Sequence, residues 1–172
     1  MTGEKLKPPG GREASKLPGP IQIPSGQKRD TVLVLEDDEH YRDLIYSLLY
    51  DVLGNVRIVT AKNLEAGAKL LTEEKGRLMG AVVDIHMVQR EPEAHEKAVD
   101  LYGPHGFAFA MSIKAATPNV IICSDADYIE QEAGKIGVSF IHKDELDGYP
   151  NISQEVKKLI KDTIRPSDKV KN

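Results

Sequence analysis

The chain has 172 residues, 40% of them hydrophobic and 29% charged, which suits one globular domain with tails and a sizeable core. A formal charge of -4 gives no basic footprint for nucleic acid, and no window of about 18 residues is continuously apolar. No membrane span is therefore expected, the N-terminus lacks the apolar core of an export signal, and the lone cysteine, Cys123, excludes an internal disulfide and suits a reducing, cytoplasmic setting.

Residues 1–30 stand apart. They carry Lys5, Lys7, Arg12, Lys16, Lys28 and Arg29 against Glu4, Glu13 and Asp30, a surplus of three positive charges, so the rest of the chain is at -7. They also hold five of the ten prolines and five of the 14 glycines. With few aliphatic side chains to offset ordering entropy, this segment reads as a disordered leader or linker. The folded part is expected over residues 31–165, followed by a loose tail at 166–172.

From Thr31 onward, strand-like and helix-like segments alternate. The continuous apolar run "TVLVL" (31–35) predicts a parallel strand covered on both faces. Tyr41, Leu44, Ile45, Leu48, Leu49, Val52 and Leu53 fall at helical spacing, and Gly54-Asn55 stops that helix. A strand over 56–60 and a helix over 63–76 follow, with Asn63 as N-cap and Gly76 as its end. A third strand is expected over 79–85, a helix over 106–116 ended by Thr117-Pro118, and a fourth strand over 119–124. A short helix over 128–137, a fifth strand over 138–142 and a closing helix over 152–164 complete the pattern. The fold class is α/β: a (βα)5 doubly wound parallel sheet with right-handed crossovers. No P-loop and no GxGxxG is present, which argues against the nucleotide-binding versions of this architecture.

In such sheets ligands bind beyond the carboxyl ends of the strands. Those ends here are Glu36-Asp37-Asp38, Asp84, Cys123-Ser124-Asp125 and His142-Lys143. One sheet edge would thus gather several carboxylates, a hydroxyl and an ammonium. Clustered carboxylates need protons or a cation among them, and oxygen ligands with few histidines favour Mg²⁺. A carboxylate beside such an ion can act as a nucleophile toward phosphorus. Asp38 and Glu39 are read instead as starting the first helix. His86, His95 and His105 lack the short-range pairing of a zinc site.

The segments "VLVLEDD", "AVVDIHM", "IICSD" and "FIHKD" together resemble the receiver domain of two-component response regulators, over about residues 31–164. The resemblance implies a flavodoxin-like sheet of order 2-1-3-4-5. It implies that Glu36 and Asp37 organise Mg²⁺ (or Mn²⁺), that Asp84 is the phosphoacceptor and a metal ligand, and that His86 offers its backbone carbonyl. Ser124 matches the hydroxyl that moves toward the phosphoryl group, Lys143 the ion-pairing lysine, and Phe140 the aromatic switch. Expected partners are a histidine kinase or phosphotransfer protein and a downstream effector or fused output domain. The protein would be a signalling switch rather than a turnover enzyme.

The sequence departs from that family in four places. Met87 is followed by Val88 rather than proline, and residues 88–105 form an inserted loop read as a lid, a docking element or a neutral excursion. Asp125 stands where a small residue is usual; a register slipped by one would put Cys123 in the hydroxyl position instead. The spacing from Ser124 to Lys143 is short. Asp144, not proline, follows Lys143. Asp125 and the insertion motivate an alternative, a phosphorylation-independent pseudo-receiver that serves as an interaction module. A Mg²⁺-dependent hydrolase is disfavoured because position 86 is His rather than a second acid.

Overall fold

The computed structural model describes residues 29–74, 76–90 and 102–164. The leader up to residue 28, the middle of the insertion with His95, and the tail lie outside them. Five strands form one parallel sheet: β1 (Thr31–Leu35), β2 (Arg57–Ala61), β3 (Leu78–Val83), β6 (Val120–Ser124) and β7 (Ser139–His142). Between β3 and β6 lie two short strands, β4 (Met87–Val88) and β5 (Tyr102–Gly103). The sheet order is β2-β1-β3-β6-β7, which is 2-1-3-4-5 when its own strands alone are counted.

Among the described residues, five helices cover the sheet: α1 (Glu39–Leu53), α2 (Leu64–Glu73), α3 (His105–Lys114), α4 (Asp127–Lys135) and α5 (Gln154–Thr163). Alternation along β1 explains why the sheet is covered twice. Leu33 and Leu35 point into a core with Leu71 of α2, Phe109, Ala110 and Ile113 of α3, and Ile129 and Ala133 of α4. Val32 and Val34 point the other way, to Ile45, Leu48 and Leu49 of α1 and Val156 and Ile160 of α5. Every residue of β1 is buried, as its unbroken apolar run requires.

Local signals set the helix ends. The Asp38 carboxylate accepts the N–H groups of His40 (2.8 Å) and Tyr41 (3.3 Å), and Gly54 closes α1 at φ 68°, a left-handed conformation open to glycine. The Asn63 side chain accepts Ala66 N–H at 2.8 Å, and the Ser153 hydroxyl accepts Val156 N–H at 3.2 Å. The last cap corrects one boundary. Ile152 does not begin α5 but is buried ahead of it, because Ser153 takes the N-cap. β3 also stops short of the expected residue 85. Asp84 N–H still reaches Leu35 O at 2.8 Å, after which the chain turns out of the sheet.

The inserted segment is not a loop at its ends. Met87 pairs with Gly103 and Val88 with Tyr102 in an antiparallel ribbon, and His105 is already the first residue of α3.

Candidate functional site

Strand ends place the chemistry. β1, β3 and β7 stop within the same edge of the sheet and deliver Glu36, Asp84 and Lys143 from sequence-distant positions. The Lys143 ammonium donates to Glu36 Oε1 and to Asp84 Oδ2, both at 2.9 Å. Glu36 is fully buried and Asp84 is 2% exposed. Asp84 Oδ1 accepts Ile85 N–H at 2.6 Å and His86 N–H at 3.3 Å, so backbone and lysine together fix the carboxylate. Glu36, Asp37 and Asp84 each bring a carboxylate oxygen within 4.8 Å of the others. A cavity of about 290 Å³ opens over them, lined by Asp37, Asp38, Tyr41, Asp84, Asp125 and Lys143.

The site is short of positive charge. Three carboxylates face one ammonium, leaving two negative charges uncompensated when all are ionised. Burial, followed by the Asp84 charge, pushes Glu36 up to about 8 against the pull of Lys143. Burial also raises Asp84 and Asp37, opposed by Lys143 and by backbone N–H groups. Burial works to lower Lys143, but Asp84 and Glu36 outweigh it and hold the ammonium charged. Glu36 Oε2 is buried without a hydrogen-bond partner among the described residues. An orphaned hard oxygen, two excess negative charges and an all-carboxylate donor set together fit a divalent cation such as Mg²⁺ or Mn²⁺.

The remaining expected residues sit as follows. Ser124 ends β6 fully buried, and its hydroxyl accepts Ala126 N–H at 3.4 Å; it is not among the residues lining the cavity. Its neighbour Asp125 does line the cavity, with a side chain 72% exposed. Cys123 is buried in the α1/α5 core, where burial pushes its thiol well above its ordinary range. The His86 ring lies at the rim, its Nε2 3.2 Å from the Tyr128 hydroxyl and its Nδ1 3.9 Å from Asp125. Phe140 is half-buried on β7, away from the carboxylates. The chain after Lys143 forms a single 3-10 turn (Lys143–Glu145), and the cis proline bond falls later, at Tyr149-Pro150.

No family model matches the chain, and no curated protein does. Solved structures do match. The signal receiver domain of the DNA binding response regulator protein merR from Colwellia psychrerythraea 34H is 20% identical with a TM-score of 0.55, over 77% of this chain and 95% of that one. A response regulator receiver domain protein from Clostridium thermocellum is 22% identical with a TM-score of 0.51, over 78% and 93%. The bacteriophytochrome response regulator AtBRR is 11% identical with a TM-score of 0.52, over 84% and 99%. This chain has the receiver fold.

Three residues around this site escaped sequence reasoning. Arg42 donates from one guanidinium nitrogen to Glu36 O (3.1 Å) and Asp37 O (3.2 Å), clamping the acidic turn. The Tyr41 ring lies 4.8 Å from the Lys143 ammonium, a cation–π contact. Gly106 lets α3 pack on the backbone of Asp84 and Ile85, donating its N–H to Ile85 O at 2.9 Å. Arg42 and Tyr41 follow the helix cap by four and three residues, so their place on the first turn facing the strand end was the available signal.

Proposed function

We propose that the chain is a phosphoacceptor receiver of a two-component or phosphorelay system, with Asp84 accepting a phosphoryl group from a histidine kinase or phosphotransfer protein. The observation that carries this is one buried ammonium, Lys143, bonded to both Glu36 and Asp84 beneath an open acidic cavity. Glu36, Asp37, Asp84 and the backbone carbonyl of His86 would hold Mg²⁺ or Mn²⁺. A bound ion supplies neutralisation of charge on the transferring phosphoryl group.

The protein's own groups do the rest. An Asp84 carboxylate oxygen attacks phosphorus, and the bond from phosphorus to the donor breaks with its electron pair leaving on the donor. Lys143 exchanges its contact with Asp84 Oδ2 for a phosphoryl oxygen. The Ser124 hydroxyl leaves Ala126 N–H to bond a second phosphoryl oxygen, and Phe140 turns inward behind it. Water later cleaves the acyl phosphate and restores Asp84. The output is a changed protein-binding surface read by an effector or a fused output domain, so the protein acts as a switch and not as a turnover enzyme.

The test is incubation with Mg²⁺ and acetyl phosphate, followed by intact-mass measurement. One added phosphoryl mass that is lost at alkaline pH and absent in Asp84→Ala is expected. No adduct, together with no spectral response to beryllofluoride, refutes the reading. That outcome would favour a pseudo-receiver, for which the Asp125 carboxylate in the cavity is the specific observation. Sustained turnover of organic phosphates would instead indicate a hydrolase.

A further inference from the structure

Lys143 enters the carboxylate site from the end of β7 and arrives nearly buried, at 7% exposure. Its ammonium carries three N–H donors. Two are taken, by Glu36 Oε1 and Asp84 Oδ2, each at 2.9 Å. Among the described residues no third acceptor is bonded to it. The Tyr41 ring, its centroid 4.8 Å from Nζ, lies within cation–π range. That ring is held from several sides. Tyr41 stands on the first turn of α1, where the Asp38 carboxylate accepts its N–H at 3.3 Å. It packs on the α1/α5 core and meets the His40 ring edge-on at a centroid distance of 5.3 Å. It also lines the cavity over the carboxylates. Its hydroxyl makes no hydrogen bond among the described residues, so the ring face and not the phenol carries the contact.

We propose that Tyr41 is a positioning residue for Lys143, its ring face holding the ammonium at Asp84 by an attraction that adds no competing hydrogen-bond acceptor. The consequence for phosphoryl transfer rests on the phosphoacceptor reading of Asp84. In that reaction the lysine gives up Asp84 Oδ2 and takes a phosphoryl oxygen. A carboxylate or a water in place of the ring would bind the ammonium itself, and that bond would have to break before the exchange. The ring attracts the cation through its quadrupole and adds no charge to a site already in negative excess. The attraction is strongest where water is excluded, and Lys143 is nearly buried. Asp37, Asp38 and Asp125 also line the cavity, and the ring holds the ammonium to Asp84 against their pull.

The experiment compares the full chain with Tyr41→Phe, which keeps a π face, and with Tyr41→Leu and Tyr41→Met, which keep an apolar side chain without one. Urea unfolding identifies the folded variants. The first readout needs no phosphoryl group: exchange of the Lys143 ammonium protons with water, followed by ¹⁵N-edited NMR of the metal-free protein. Faster exchange is expected in Tyr41→Leu and Tyr41→Met, and native exchange in Tyr41→Phe. The second readout is the rate of adduct formation with acetyl phosphate at saturating Mg²⁺. A roughly tenfold loss in Tyr41→Leu and Tyr41→Met, regained in Tyr41→Phe, is expected with Mg²⁺ affinity unchanged. Native exchange in every variant overturns the proposal, as does altered exchange with an unaltered rate. A defect in Tyr41→Phe as large as in Tyr41→Leu also overturns it, since the hydroxyl is then responsible. No adduct in the native sequence removes the phosphoacceptor reading instead, and the exchange measurement then decides whether the ring holds the ammonium.

Discussion

Raising the pH in the absence of divalent cations should destabilise the fold, and adding Mg²⁺ should reverse the loss. Glu36 titrates at 4.5 in an unfolded chain and at about 8 in the folded one. Between those values the folded state holds a proton that the unfolded state has released, so stability falls as pH rises. The stabilising effect is complete below pH 4.5 and gone above about pH 8. At ~1.4 kcal/mol per pH step, this interval bounds the Glu36 contribution at roughly 5 kcal/mol. Asp84 and Asp37 are raised too and act in the same direction, while Lys143 stays charged throughout the window. For a domain of this size each kcal/mol moves the Tm by roughly 3–5 °C. Urea unfolding at a series of pH values from 5 to 9, with chelator and with excess MgCl2, measures the effect. A declining midpoint with chelator and a restored midpoint with Mg²⁺ at pH 8 are expected, and Glu36→Gln should flatten the chelator series. A flat chelator series in the native sequence, or a slope unchanged by Glu36→Gln, refutes the electrostatic reasoning. No stabilisation by Mg²⁺ at pH 8 refutes its metal half.

Other perturbations probe the supports of the site. Gly106→Ala would put a Cβ 1.8 Å from the Asp84 carbonyl oxygen, and backbone must move to admit it. A loss of about 3 kcal/mol in chemical unfolding is expected, against a helix-propensity gain of only about 1 kcal/mol. Arg42→Ala removes both bonds to the acidic turn and should cost about 1–2 kcal/mol while weakening Mg²⁺ affinity, followed by calorimetry. Asp125→Asn removes a negative charge from the cavity and should speed adduct formation with acetyl phosphate; an unchanged rate would show that the carboxylate does not face the incoming group.

The parts of the fold legible in the sequence were those written locally. β1 announces itself by an apolar run, α1 by its spacing, and Asp38, Asn63 and Gly54 by the chemistry of caps. The parallel-sheet rule then carried Glu36, Asp84 and Lys143 to a common edge, because strand ends in this architecture share a side. Contacts that depend on where a side chain swings after the edge were not legible. The Arg42 clamp, the Tyr41 ring over the lysine and the tight approach at Gly106 are settled by packing between elements far apart in the chain. The β4–β5 ribbon was invisible for another reason: two residues per strand are too few to show an alternating period.

That ribbon gives the insertion a fixed pair of stems. Its two stems leave the domain side by side, with Val88 opposite Tyr102, in the geometry that a two-residue hairpin turn closes. Joining Val88 to Tyr102 through Asn-Gly would delete residues 89–101, and with Gln89 the acceptor of Glu65 N–H and the side-chain contact to His105 at the start of α3. The same junction is a port through which a foreign loop can be grafted beside the carboxylate site.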